Sequence, residues 1–320
     1  FTVSRGTTTI SWAPTTSLTM PETGSVFAAA TSLAGAITYA VTDAGTTGCT
    51  VDSANRTISF TATGSCEVSA TAAANDQYQS VSTSATFVIT KADQTITITD
   101  PGAQTYALGG TFSISGTASS GLTVAFGSTT PSVCTVAGTT VTTVSAGTCT
   151  ITADQAGNGS YNAAPQASID VTINKAATTV TWSPTNTSVL TTDSPVTPNA
   201  SPTVSTGGGA VSYSISDAGG SGCTVDSSSG VISFTTSGTC QVTATAAETA
   251  NFASGSTTVS FAISKATQTI TFGSLTNQAF GTGPYAISGS TDATGLVLSF
   301  STTTPTVCSV TGGTSLVGGN

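Results

Sequence analysis

Histidine is absent from this chain, methionine occurs once, at Met20, and charged residues make up only 6% of it. Each shortage removes a class of function. Without histidine there is no Ser-His-Asp or Cys-His arrangement to activate a nucleophile. The 14 acidic and 5 basic residues leave few groups for acid–base work. The chain therefore reads as non-enzymatic and without a cofactor. Zinc needs His or closely spaced Cys, and neither is present. No glycine-rich phosphate loop followed by Lys occurs. The net charge of −9 excludes nucleic acid and anionic membrane surfaces as partners, because both need basic patches. No apolar run approaches the ~18 residues of a membrane-spanning helix.

What is present is Thr, Ser, Ala, Gly and Val in abundance. Mean hydropathy is slightly positive and β-branched residues are common, so the chain should fold rather than stay disordered. Ser and Thr must cover the surface that Lys and Glu normally cover.

The seven cysteines carry the organisation. Cys49/Cys66 are separated by 16 residues, Cys134/Cys149 by 14 and Cys223/Cys240 by 16, and Cys308 follows alone. Each pair recurs at one place in a repeat, which identifies disulfide-stapled domains in an oxidising compartment, secreted or at the cell surface. By the register of the second repeat, the partner of Cys308 falls at position 323, beyond the chain end. With neither initiator Met nor signal peptide, an export signal is expected to have been removed or to lie upstream.

The junctions set the boundaries. Val88-Ile89-Thr90-Lys91-Ala92, Thr172-Ile173-Asn174-Lys175-Ala176 and Ala262-Ile263-Ser264-Lys265-Ala266 are one motif, and Phe1-Thr2-Val3-Ser4-Arg5-Gly6 is a further copy. Residues 1–4 read as the last strand of a preceding repeat. Repeats then run 5–90, 91–174, 175–264 and 265–320, the last incomplete. Two flavours alternate. One carries Trp12 or Trp182 and the Asp-Ala-Gly … Cys-Thr-Val-Asp series that holds Asp43, Asp52, Asp217 and Asp226. The other carries Gln94 or Gln268 and the Gly121-Leu122 or Gly295-Leu296 turn.

An aromatic lies 12 residues after the second Cys of each complete repeat, at Tyr78, Tyr161 and Phe252. Another precedes the first Cys by 10 or 8 residues, at Tyr39, Phe126, Tyr213 and Phe300. The spacing predicts one shared core for both flavours. Period-two runs such as Glu67-Val68-Ser69-Ala70-Thr71, separated by Asp/Asn/Gly/Ser clusters, predict an all-β two-sheet sandwich per repeat.

The units ending in (V/I)-x-(I/V)-x-Lys-Ala, with Cys-Thr-Val-Asp and Ser-Gly-Thr-Cys-x-Val-Thr-Ala inside, resemble the bacterial immunoglobulin-like (Big-type) tandem repeats of large secreted and cell-surface proteins. The resemblance covers the whole chain. It implies immunoglobulin-like sandwiches used as a stalk, spacer or adhesive shaft, with no catalytic residues to carry over.

No Gly/Ser linker separates the repeats, so the expectation is an extended rod in which each unit contacts its neighbours in the same chain. Lys91, Lys175, Lys265 and Arg5 read as solvated charges that discourage edge mispairing, or as caps at the seam. A Ca²⁺ site built on Asp43 and Asp52, or Asp217 and Asp226, is the weak metal candidate, set against Asx turns. Trp12 and Trp182 read as core in preference to a sugar platform. The leading function is the shaft of an adhesin or fibre. The alternatives are a self-assembling extracellular filament or sheath, joined to other copies through uncharged edges, and a glycan-binding module.

Overall fold

The computed structural model describes residues 2–22, 24–279, 281, 283–292, 297–311 and 315–318. Phe1, Gly295 and Leu296, which the repeat alignment uses, lie outside them. The chain divides into two compact units, Phe1–Ala177 with Ala250–Ala253, and Thr178–Thr249 with Ser254–Asn320.

Unit 1 holds two sandwiches. The first has strands β1 (Ser17–Thr19), β2 (Ser25–Val26), β3 (Ile37–Asp43), β4 (Thr50–Asp52), β5 (Thr57–Ser59), β6 (Gly64–Ala72) and β7 (Val81–Thr90). One sheet runs β1-β7-β6-β3, with β1 parallel to β7, and the facing sheet runs β2-β5-β4. The second has β8 (Ile96–Thr99), β9 (Gln104–Thr105), β10 (Thr111–Ser113), β11 (Ser115–Ala118), β12 (Ala125–Ser128), β13 (Cys134–Ala137), β14 (Thr140–Thr143), β15 (Gly147–Asp154) and β16 (Ala167–Asn174). Its sheets are β12-β15-β16-β9, with β9 parallel to β16, and β10-β14-β13 beside the pair β11-β8.

Unit 2 repeats the plan. The third sandwich has β17 (Val180–Thr181), β18 (Ser188–Leu190), β19 (Thr203–Val204), β20 (Val211–Asp217), β21 (Thr224–Val225), β22 (Ile232–Ser233), β23 (Gly238–Ala246) and β24 (Gly255–Ser264). Its main sheet is β18-β24-β23-β20, with β18 parallel to β24. The fourth repeat contributes β25 (Ile270–Phe272), β26 (Tyr285–Ala286), β27 (Gly289–Thr291), β28 (Cys308–Thr311) and β29 (Ser315–Gly318), paired as β25-β27 and β26-β29-β28. These answer to the β10-β14-β13 and β11-β8 side of the second sandwich.

Alternation explains the cores. In β6, Cys66, Val68, Ala70 and Ala72 point inward. In β7, Phe87 and Ile89 point inward while Ser84, Thr86 and Thr90 face out. The same series recurs as Cys240, Val242, Ala244 and Ala246 with Phe261 and Ile263. Period two is the pleat of a strand, and each buried Phe or Ile contributes roughly 2 kcal/mol. Ser and Thr hydroxyls on most outward positions, with Val88 an apolar exception, keep the faces wet with hardly any charge.

The edge strands β3 and β20 each carry a bulge, between Val41 and Asp43 and between Ile215 and Asp217. A bulge ending in a carboxylate spoils the flat ladder that another strand would need.

The second sandwich adds a buried polar knot. Gln94 is 2% exposed. Its Nε2 donates to Gln155 Oε1 at 2.6 Å and to the Asn162 carbonyl at 2.7 Å. Its Oε1 accepts from the Ser120 hydroxyl. Gln94→Ala would strand these partners, at a cost of about 1–3 kcal/mol. The counterpart Gln268 is exposed, so Gln268→Ala should change stability by less than ~0.5 kcal/mol. Chemical denaturation of the two variants checks this, and equal shifts would refute the burial argument.

Candidate functional site

Two constructions recur in this chain, a stapled turn and a strand bracket. The stapled turn joins the sheets. Cys49 bonds Cys66, Cys134 bonds Cys149 and Cys223 bonds Cys240, with Cα–Cα distances of 6.4, 5.6 and 6.1 Å. Cys66, Cys149 and Cys240 are buried in their sheets. Beside two of these staples a hydroxyl is wholly buried. Thr47 donates to the Ala44 carbonyl at 2.7 Å and accepts from the Cys49 N–H at 3.2 Å. Ser221 donates to the Ala218 and Thr239 carbonyls.

The four sequence-flagged aspartates build the turns around these staples. Asp43 and Asp217 each accept the N–H two residues on, from Gly45 and Gly219, at 2.8 Å. A Cβ on Gly45 would collide with the Ser65 carbonyl. Asp52 accepts from the Ala54 and Asn55 N–H groups and from the Asn55 amide. Asp226 accepts from the Ser228 and Ser229 N–H groups and the Ser229 hydroxyl. The Asn55 side chain, then backbone N–H groups, hold Asp52 below the usual carboxylate range. The Ser229 N–H and hydroxyl do the same for Asp226. Among the described residues, no three His, Cys, Asp or Glu side chains gather as a metal site would need.

The tryptophans pack inward. Trp182 is 5% exposed, with Tyr213 at 5.4 Å and Phe261 at 6.1 Å, and its indole N–H donates to the Ala200 carbonyl. Trp12 is half-buried against Tyr39 and Phe27, and its indole N–H donates to the Ala28 carbonyl. Burial pushes the Tyr213 phenol up.

The strand bracket lies where each sandwich begins. Gly6 donates to the Gln77 carbonyl and accepts from Gln79. Ala92 does so with Ser160 and Asn162, and Ala176 with Asn251 and Ala253. All six bonds fall between 2.8 and 2.9 Å. The bracketed residue opposite is always the repeated aromatic, Tyr78, Tyr161 or Phe252. This corrects the sequence expectation for those three. They are half-buried at a sandwich end, outside the central core that Tyr39 joins and Tyr213 packs against. Their fixed spacing comes from the bracket, which must meet the residue after Lys or Arg. The lysines themselves are exposed.

In unit 2, Ile270, Phe272, Leu275 and Phe300 line an open cleft of about 460 Å³ that Cys308 also reaches. Cys308 is a half-buried free thiol, 3.4 Å from the Thr302 hydroxyl. On the first sandwich, Thr42, Glu67, Ser69 and Ser84 line a polar depression in which Ser84 donates to Glu67 at 2.6 Å.

One sheet ordered β1-β7-β6-β3 against β2-β5-β4, with a cystine between them, is the two-sheet immunoglobulin-like plan. The staple enters from the corner before β4, not from the β2 strand as in antibody domains. The chain is thus an all-β tandem array of immunoglobulin-like sandwiches, with one disulfide in each of the three complete ones.

No family model matches the chain, and no curated protein matches it by sequence. Solved structures similar to it include a Drosophila N-cadherin fragment, at 11% identity and TM-score 0.30 over 79% of this chain and 99% of that one. Sidekick-1 immunoglobulin domains 1-5 match at 10% and 0.31 over 99% and 72%. An I-band fragment of titin matches at 16% and 0.33 over 81% and 99%.

Proposed function

We propose that the chain is a non-enzymatic structural segment, the shaft of a secreted or cell-surface bacterial adhesin or fibre. The observation that carries this reading is the length of the junctions. Strand β7 ends at Thr90 and Ala92 is already bracketed in the next sandwich, so Lys91 alone lies between. Strand β16 ends at Asn174 and Ala176 is bracketed, leaving only Lys175. Within unit 1, the one-residue junction at Lys91, pinned on both sides, has little freedom to hinge. The staples add resistance to unfolding outside the cell. The bulged edges at Asp43 and Asp217 favour a single shaft over a filament built by lateral strand addition.

The test is imaging by negative-stain electron microscopy together with small-angle scattering. At ~3.3 Å per strand residue, each complete sandwich should add roughly 35–45 Å to a stiff particle. A flexible string of separate globules, or a compact particle, would overturn the shaft.

A further inference from the structure

We propose that Asn251 and Phe252 form a latch that completes the second sandwich, so that this sandwich depends on a dipeptide lying far outside residues 91–174. The inference concerns stability and stands whether or not the chain is a shaft. Residues Ala250–Ala253 belong to unit 1, although the strands on either side of them, β23 and β24, belong to unit 2.

The contacts are specific. Asn251 Oδ1 accepts the backbone N–H of Ala146 at 2.9 Å. Ala146 is the residue before β15, the strand that carries Cys149. The Phe252 ring meets Tyr106 edge-on, with centroids 5.7 Å apart and planes at 83°. Tyr106 is 7% exposed and belongs to the cluster of Ile114, Cys149, Ile151, Val171 and Ile173, against which Phe252 and Ala176 pack. Phe252 is thus a half-buried ring that packs against the core of the second sandwich from another part of the chain. The bracket at Ala176 fixes where the latch falls, since Asn251 and Ala253 hold that residue from both sides.

The side chain at position 251 is peculiar to this bracket. Gln77 and Ser160 occupy the same place in the other two. A serine hydroxyl on a one-carbon stem is shorter than an asparagine amide and cannot span the same gap. The surface formed by Tyr106 and the Ala146 N–H therefore fits an Asn–aromatic pair, with an acceptor for the amide and an apolar edge for the ring.

Hydrogen exchange on the full chain tests this. Asn251→Ala and Asn251→Ser should each speed exchange at the Ala146 amide about tenfold, the worth of one neutral hydrogen bond. Phe252→Ala should speed exchange at Cys149, Ile151 and Val171 by roughly three- to tenfold. Phe252→Tyr, which restores the residue of the other brackets, should leave these amides as in the parent. Because Phe252→Ala also touches the β23–β24 loop, Tyr106→Leu provides the reciprocal arm. It should speed the same second-sandwich amides, and Phe252→Ala should add little on that background. Unchanged protection of Ala146 and β15 in the position 251 and 252 variants would overturn the latch. So would losses confined to 178–264, or full additivity of Tyr106→Leu with Phe252→Ala.

Discussion

Phe261→Ala is expected to remove about 3–5 kcal/mol from the third sandwich, the range for emptying a fully buried Phe site. Phe261 is 1% exposed, sits opposite Cys240 in the ladder and faces Trp182. Its neighbours cannot collapse into the space, because β23 is tied to the facing sheet by a cystine and Trp182 is held by its hydrogen bond to Ala200. A domain of this size has a total stability of only about 5–10 kcal/mol, so the variant should sit near its unfolding transition. Ser260→Ala, one residue away on the exposed face of β24, should shift stability by less than ~0.5 kcal/mol. Urea titration of both variants decides the matter. A midpoint shift for Phe261→Ala no larger than for Ser260→Ala would mean that the sheet does not bury this face.

Cutting the staples is expected to be nearly as costly. The three bridges close loops with sequence separations of 17, 15 and 17, for which the chain-entropy account gives about 3 kcal/mol each. Paired Cys223→Ala and Cys240→Ala substitutions should lower the third sandwich by that amount. The buried sulfur of Cys240 should make the native protein slow to react with dithiothreitol until the sandwich opens. Force spectroscopy gives the second readout. With the bridge intact, the 17-residue loop stays closed when the sandwich opens. Reduction should therefore lengthen each released segment by roughly 60 Å, at ~3.6 Å per residue. Unchanged segment lengths after reduction would mean that the thiols were not bridged within one sandwich.

Much of this fold is legible in the sequence because strands have a rigid period. The alternation in Glu67–Thr71 and the equal spacing of the cysteines require long-range partners, and both patterns repeat. The turns were legible too, since an Asp two residues before Gly45 or Gly219 is an Asx signal wherever it stands. In the sequence Gln94 reads only as a repeat marker, because its burial depends on Ser120, Gln155 and Asn162, which lie 26 to 68 residues away. No local pattern encodes that. Asn251 is illegible for a different reason: its place in the repeat is held by Gln77 and Ser160, so no shared residue marks it. The aromatics at Tyr78, Tyr161 and Phe252 are legible by their spacing, but their surroundings are not. A fixed distance from a cysteine does not reveal whether a side chain faces its own core or the end of the sandwich. Arg56 takes a positive φ of 58° where the matching third-repeat turn has Gly230 at 73°. The backbone demand of this turn is shared, and only one of its two residues announces it.

The parallel pairing of β1 with β7, of β9 with β16 and of β18 with β24 bears on how tension would travel. In each sandwich the strand near the entry and the strand at the exit lie side by side and point the same way. Pulling the two ends apart slides one strand along the other, so bonds such as Met20 N–H to Thr90 and Val88 N–H to Thr16 are loaded in shear, together rather than one after another. Hairpins pulled from their open ends would unzip bond by bond at low load. Here the rupture force rests on the short patch of two or three residue pairs that joins β1, β9 or β18 to the last strand of its sandwich.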